Sequence, residues 1–240
     1  SASLVGSEMC IRDRKCAVTD EKVSYSYSEL VKLSSSVGTA LSELIASGDA
    51  VGIYMEKCAD AVAAFFATVY AGGFYSVLNT ELPQNRLQTT VSVLNPKVIV
   101  TSESLLETVK EYFSERKIVT FEDLAKSEPN YAKLGEIRSH KIDTDPLYIN
   151  FTSGSTGTPK GIVVCHRSVI DFIDHFTEIF GIDNNDVIAN QAPFDFDVSV
   201  KDIYSAVKTG ATLVVVPRRM FSAPAELIDF ICDRRITVMT

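Results

Sequence analysis

The chain has 240 residues, 46% of them hydrophobic, 9% aromatic and 22% charged, and its 31 acidic against 23 basic residues give a formal net charge of −8. These proportions suffice for a real core and allow one large α/β domain or two small ones. An acidic surplus without a basic block argues against nucleic acid and against an anionic membrane as partners, leaving a small molecule or another protein.

Residues 1–14, SASLVGSEMCIRDR, do not blend with the rest of the chain and are set aside as a non-native or disordered leader. From Ala17 the text is regular. AVTDEKVSYSY carries a turn at Asp20–Glu21 between two β-favouring runs, which predicts a hairpin. Ser28 can cap a helix whose apolar face is Leu30, Val31, Leu33, Val37, Leu41, Leu44 and Ile45, stopped by Gly48. Strand VGIYM, an alanine-rich helix ending at Gly72–Gly73, strand FYSVLN, helix PQNRLQTTVSVLN and strand KVIVT come next. Pro83 opens that last helix and Pro96 closes it. A helix over Ser102–Phe113 and a strand over Lys117–Thr120 keep the alternation, which predicts layered parallel strands covered by helices on both faces. Residues Phe121–Asp145 are polar and weakly patterned, with room for one short helix. Then come a strand–loop–strand, a helix over Ser168–Phe180, strand VIAN, a helix from Val198 to about Lys208, strand ATLVVVP, helix PAELIDFICDRR and strand ITVM. The last strand ends without loop or cap, so the chain is expected to be part of something longer.

The five cysteines (Cys10, Cys16, Cys58, Cys165, Cys232) are scattered, without a C-x-x-C pair or zinc-ligand spacing to His140, His166 or His175. They read as free thiols in a reducing cytoplasm. There is no apolar run of the roughly 20 residues a bilayer span needs, and no signal-peptide pattern at the start.

The strand–loop–strand reads FTSGSTGTPKG from Phe151 to Gly161, between the apolar runs LYIN and IVVC. Glycines tolerate positive φ, so successive N–H groups of such a loop can turn inward as an anion nest. The hydroxyls of Thr152, Ser153, Ser155, Thr156 and Thr158 add donors around Gly154 and Gly157. Lys160 adds a full positive charge, and Pro159 limits the loop's freedom. These features suit a polyphosphate. The Walker loop needs glycine before its lysine where Pro159 stands, and the dinucleotide G-x-G-x-x-G and the G-x-S-x-G elbow fail on spacing. The second informative stretch is QAPFDFDVSVKDIY, Gln191–Tyr204, which puts Asp195 and Asp197 either side of Phe196 just before a helix. Acids there can cap the helix or meet its positive end. Lys201 and Asp202 side by side suggest a solvated face. His166 reads as helix entry and packing, and His140 and His175 as surface residues.

TSGSTGTPKG resembles the phosphate-loop signature of the adenylate-forming superfamily, which includes acyl-CoA synthetases, luciferases, amino-acid adenylation domains of nonribosomal peptide synthetases and D-alanine–carrier protein ligases. VSYSYSEL and YAGGFYSVLNTELPQNRL are similar to two structural blocks of that family, with Tyr70 where a lysine is usual. F-D-V-S resembles the F-D-x-S signature of the amino-acid-activating members. The resemblance covers Ala17 to the end and implies a partial N-terminal adenylation core over residues 15–240, lacking the C-terminal part and subdomain. It implies ATP and Mg²⁺ as cofactors. It assigns Thr152, Ser153, Gly154, Ser155, Thr156, Gly157, Thr158 and Lys160 to the ATP phosphates, Lys160 also to catalysis and Thr152 to the metal. Asp197, Val198 and Lys201 fall to the amino-acid substrate, with Asp197 pairing with its α-ammonium in preference to a purely capping role.

The implied reaction is adenylation of an amino-acid carboxylate with release of pyrophosphate, then transfer to the phosphopantetheine thiol of a carrier protein. Nothing resembles the family's later Y-G-P-T-E motif, its ribose-binding aspartate, hinge or C-terminal lysine, so residues 1–240 alone are expected to be inactive. Two other readings stay open: an acyl- or aryl-CoA synthetase, and a non-catalytic nucleotide-binding module.

Overall fold

A computed structural model describes residues 13–152 and 159–239. The leader expected over residues 1–14, apart from Asp13 and Arg14, lies outside them, as do Cys10 and the loop residues 153–158. The chain divides into two compact units: Ser1–Val31 with Lys57–Ala59 and Ile170–Thr240, and Lys32–Glu56 with Asp60–Val169.

The second unit is built on a six-stranded sheet. Its strands, numbered along the chain, are β3 (Ala50–Tyr54), β4 (Phe74–Val77), β5 (Val98–Thr101), β6 (Ile118–Thr120), β7 (Pro146–Thr152) and β8 (Lys160–Cys165), in the order β6-β5-β3-β4-β7-β8. All neighbours are parallel except β7 and β8, which pair antiparallel. The all-buried run AVGIY of β3 and VIVT of β5 are what a parallel sheet covered on both faces demands. Helices α2 (Ala59–Tyr70), α3 (Gln84–Leu94) and α4 (Leu106–Tyr112) follow β3, β4 and β5 in turn. Tyr54, Leu78, Leu87, Val91, Ile99, Val109 and Phe113 form one core cluster of this unit. Pro83 takes the N-cap position of α3, and Asn95 ends it in the left-handed region at φ 47° before Pro96. The stretch expected to hold at most one short helix holds two, α5 (Phe121–Ala125) and α6 (Tyr131–Ser139). Each is started by a side chain: Thr120 accepts from the Asp123 amide and Asn130 from that of Lys133.

The first unit carries a five-stranded sheet, β11-β9-β10-β1-β2, from β1 (Cys16–Thr19), β2 (Ser24–Ser26), β9 (Val187–Asn190), β10 (Thr212–Val215) and β11 (Val238–Met239). The hairpin expected over Ala17–Tyr27 is the antiparallel pair β1–β2, and the remaining pairings are parallel. Both sheets are therefore mixed rather than purely parallel. Ala189, Val214, Val216, Met220 and Phe230 form a core cluster of this unit. Helices α8 (Val198–Thr209) and α9 (Pro224–Asp233) follow β9 and β10, while α1 (Tyr27–Leu41) and α7 (His166–Phe180) run across the boundary between the units' residue ranges.

Two sequence expectations change. Helix α1 is capped by Ser26, not Ser28. The Ser26 hydroxyl and amide donate to the Glu29 carboxylate at 2.7 and 2.8 Å, while the Glu29 amide donates back to Ser26 Oγ at 3.3 Å, a reciprocal capping box. Those bonds hold the Glu29 carboxyl below its ordinary pKa. Val31, expected on the apolar face of this helix, is 45% exposed.

The turn of the first hairpin is fixed by Asp20. Its carboxylate accepts the amides of Lys22 at 2.7 Å, Val23 at 2.8 Å and, 39 residues on, Ala59 at 2.8 Å. One buried acid thus satisfies two turn amides and one of the orphan donors at the start of α2.

Candidate active site

The phosphate-loop candidate is presented by the β7–β8 hairpin. Register places Thr152 directly opposite Lys160, Phe151 opposite Gly161 and Asn150 opposite Ile162. The two ends of the loop are therefore neighbouring positions across one ladder, where facing Cα atoms stand roughly 4.5–5.5 Å apart. Thr152 and Lys160 are both exposed and Pro159 is buried. The sequence-assigned Ser153, Gly154, Ser155, Thr156, Gly157 and Thr158 lie outside the described residues. Strand β8 is exposed over its first four residues, with Ile162 and Val163 more than half exposed.

Gly161 has a steric reason to be glycine. A Cβ there would stand 2.5 Å from Ile149 Cδ1 and 3.2 Å from Phe151 Cε1. The absent side chain lets Ile149 of the facing strand lie against β8, which pins the register at the mouth of the loop.

The far end of β8 is tied down by polar contacts. His166 opens α7, its amide donating to the Asp145 carbonyl at 3.1 Å; the Arg167 amide donates to the Asp143 carbonyl at 2.7 Å. Arg167 also grips the Asp143 carboxylate in bidentate fashion at 2.8 and 2.9 Å, and Lys141 pairs with Asp145 at 3.1 Å. Burial, with the Lys141 cation adding to it, pushes the His166 imidazole below its ordinary pKa, against the pull of Asp145. A histidine held neutral within this junction fits the packing role read from the sequence.

The substrate-side candidate sits in the other unit. Asp197 occupies the N-cap position of α8 with helical backbone (φ −58°, ψ −28°), and its carboxylate makes no capping hydrogen bond. The first turn is closed by other means: Ser199 Oγ donates to the Phe196 carbonyl at 2.7 Å, and the Val200 amide to the Asp197 carbonyl at 3.0 Å. Asp197, Val198 and Phe196 are all exposed. The helix therefore takes no capping hydrogen bond from Asp197. Asp195, on the other side of Phe196, is two residues short of the cap position and half-buried.

Lys201 is not on a solvated face. Its side chain is 12% exposed and that of its partner Asp202 2%, with Nζ to Oδ1 at 2.7 Å. Asp202 Oδ2 also accepts from Asn190 Nδ2 at 3.0 Å. A carboxylate can only accept, so the Asn190 amide must turn its NH₂ inward, and its Oδ1 is left buried with no hydrogen-bond partner. Lys57 completes the cluster. Its Nζ donates to the carbonyls of Asn190 at 2.8 Å and Val216 at 3.2 Å, and stands 5.7 Å from the centre of the Phe194 ring. Burial raises the Asp202 pKa against the lowering effects of Lys201, Asn190 and Lys57. Burial likewise lowers Lys57, to about 8, although Asp202 opposes it. None of Lys57, Asn190 and Asp202 stands out by motif. Adjacent opposite charges read as surface in the sequence, and only the α8 periodicity, with Asp202 between Ser199 and Ala206 on the buried side, carries a signal.

Among the described residues no group of three or more His, Cys, Asp or Glu could hold a metal ion. Among the described residues Cys16, Cys58, Cys165 and Cys232 form no disulfide. Among the same residues no helix is long and apolar enough to cross a membrane.

Comparison with known proteins agrees with this layout. The family model described as AMP-binding enzyme matches residues 11–240. Tyrocidine synthase 1 of Brevibacillus parabrevis is 26% identical over 94% of this chain and 21% of its own length. Indigoidine synthase of Streptomyces lavendulae is 30% identical over 93% and 17%. The L-proline–[L-prolyl-carrier protein] ligase of Pseudomonas fluorescens is 29% identical over 94% and 46%. The chain therefore spans less than half the length of each. Among solved structures, a four-domain nonribosomal peptide synthetase bound to AMP and glycine superposes with a TM-score of 0.83 at 23% identity, covering 99% of this chain and 17% of that one. ATP-bound MatB from Rhodopseudomonas palustris gives 0.82 at 22%, covering 95% and 46%. Two mixed α/β units, a β7–β8 hairpin that brings Thr152 opposite Lys160 and a family match over nearly the whole length lead to one conclusion: the chain belongs to the AMP-binding enzyme family.

Proposed function

We propose that this chain is the part of an amino-acid adenylating ligase that holds ATP and the substrate's α-ammonium, in a protein that passes the activated acyl group to a carrier-protein thiol. The carrying observation is Asp197, an exposed carboxylate at the start of α8 that the helix leaves without a capping bond. A fixed anion there suits a cationic amine, which a fatty or aryl acid lacks. Support also comes from a relative whose name specifies ligation of L-proline to a prolyl-carrier protein.

In this reading Thr152, Ser153, Gly154, Ser155, Thr156, Gly157 and Thr158 donate to the β- and γ-phosphates, and Lys160 neutralises charge as it builds on the leaving group. The substrate carboxylate attacks the α-phosphorus, the bond to the bridging oxygen breaks, and pyrophosphate departs. The thiolate of phosphopantetheine then attacks the acyl carbon of the adenylate and AMP leaves. No protein nucleophile is needed; the chain's contribution is orientation and electrostatic stabilisation. Val198 and Lys201 follow Asp197 on α8 as substrate contacts. Thr152 offers a neutral hydroxyl, which fits a Mg²⁺ delivered with the triphosphate better than a resident cage of acids. When bound, Mg²⁺ supplies charge neutralisation on the phosphates. A reaction drawing on ATP fits a cytoplasmic location. Residues 1–240 alone, at 17–46% of the length of the relatives above, are inactive in this reading.

The test is ATP–pyrophosphate exchange by the full-length protein against a panel of amino acids and of fatty and aryl acids. Exchange driven by one amino acid and lost in Asp197→Ala supports the reading. Exchange driven by an acid without an amine, indifferent to Asp197→Ala, replaces it with a CoA synthetase. No exchange together with retained ATP binding would leave a non-catalytic nucleotide module.

A further inference from the structure

The segment 191–197, which brings Asp197 to α8, leaves β9 at Asn190. That residue is held twice: its carbonyl by Lys57 and its side-chain amide by Asp202. Lys57 also reaches the carbonyl of Val216, one residue past β10, and faces the Phe194 ring within the segment. The donors and acceptors thus converge on the carboxyl ends of two adjacent parallel strands, where ligands bind in open α/β sheets. Asn190 is 0% and Asp202 2% exposed, so water cannot substitute for a lost partner. Removing either charge would leave the other groups buried and unmatched.

Resting on the amino-acid reading above, we propose that Lys57 and Asp202 are positioning residues for Asp197. They clamp the base of the 191–197 segment from the strand side and the helix side, so that the anchoring carboxylate is presented at a fixed point. Lys57 holds the departing end through the Asn190 carbonyl and ties it to the end of β10 through that of Val216. Asp202, five residues past Asp197 on α8, holds the returning end against Asn190. Lys201 supplies the Asp202 carboxylate with a second bond. The consequence is a division of labour: Asp197 meets the substrate, and the buried pair sets where it does so.

The experiment uses the full-length protein with Lys57→Met, Lys57→Arg and Asp202→Asn, read by hydrogen–deuterium exchange and by steady-state pyrophosphate exchange. Amides of 191–199 should exchange at least about tenfold faster in Lys57→Met and Asp202→Asn, with β3, β4 and β5 unchanged and Lys57→Arg close to wild type. The Michaelis constant for the amino acid should rise by about tenfold or more in the first two variants, with that for ATP within about twofold. Unchanged protection of 191–199 overturns the clamp. Faster exchange with an unaltered amino-acid constant overturns the positioning role, as does an equal rise in both constants. Should Asp202→Asn fail to fold, the Lys57 pair carries the same comparison. If wild type shows no exchange with any amino acid, the functional reading falls, while the deuterium measurement still decides the clamp.

Discussion

The two candidate sites are built by opposite means. In one unit, Thr152 and Lys160 stand at the open end of an edge hairpin, on strands held by a backbone ladder and one glycine. In the other, Asp197 stands on a segment whose base is a buried polar cluster of Lys57, Asn190, Lys201 and Asp202. The difference suits the two ligands proposed. A triphosphate offers many oxygens and can be gathered by any loop rich in donors. A single ammonium group must meet a single carboxylate at one place, which calls for a rigid platform.

Removing the charge on each side should separate the two roles most sharply. Lys160→Met should lower the turnover of pyrophosphate exchange by about 10²–10³-fold, the usual loss when one charge-stabilising donor goes. Asp197→Ala should raise the Michaelis constant for the amino acid by about 10²-fold and spare that for ATP. A Lys160 variant whose defect lies in the amino-acid constant alone would break the comparison.

Smaller effects fall on stability. Asp20→Ala orphans three amides, including the one that starts α2, and should cost about 3 kcal/mol, seen as a lower urea midpoint with unchanged slope. Gly161→Ala forces Ile149 aside and should cost about 1–3 kcal/mol, with weakened ATP binding as the local readout. If Gly161→Ala leaves both unaltered, the hairpin is not pinned by that contact.

The smallest effect is a pH dependence. Burial holds folded Lys57 at about 8 against an ordinary 10.5. Between those values the unfolded chain binds more protons, so stability should rise with pH across that window. Relative to Lys57→Met, wild type should therefore gain stability from about pH 8 to 10.5, lose it as pH falls back across that window, and change no further below 8. A flat difference across that range would mean that Lys57 is not buried as a cation.

Much of this was legible in the sequence for physical reasons. Parallel strands buried on both faces, such as Ala50–Tyr54, must be continuous apolar runs, and the loop 151–161 announces itself through glycines and hydroxyls. Less legible was anything fixed by tertiary contact. Ser26 displaced Ser28 as the cap because Glu29, not the serine's own propensity, closes the box. The Lys201–Asp202 pair looked solvated because a local pattern cannot show that Asn190, twelve residues upstream, reaches the same carboxylate. Lys57 lies in a segment of three residues, Lys57–Ala59, that belongs to the first unit while its sequence neighbours belong to the second, with nothing around it in sequence to announce the role.

The vacancy in bulk at Gly161 also bears on engineering. Because Ile149 fills the place a side chain would take at Gly161, the two strands of the hairpin are matched parts rather than interchangeable ones. A phosphate loop grafted from a relative should be moved as a cassette running from Pro146 to Cys165, with both strands. A swap that replaces only one of the two strands would keep the local register intact only where the bulky–glycine pair is retained.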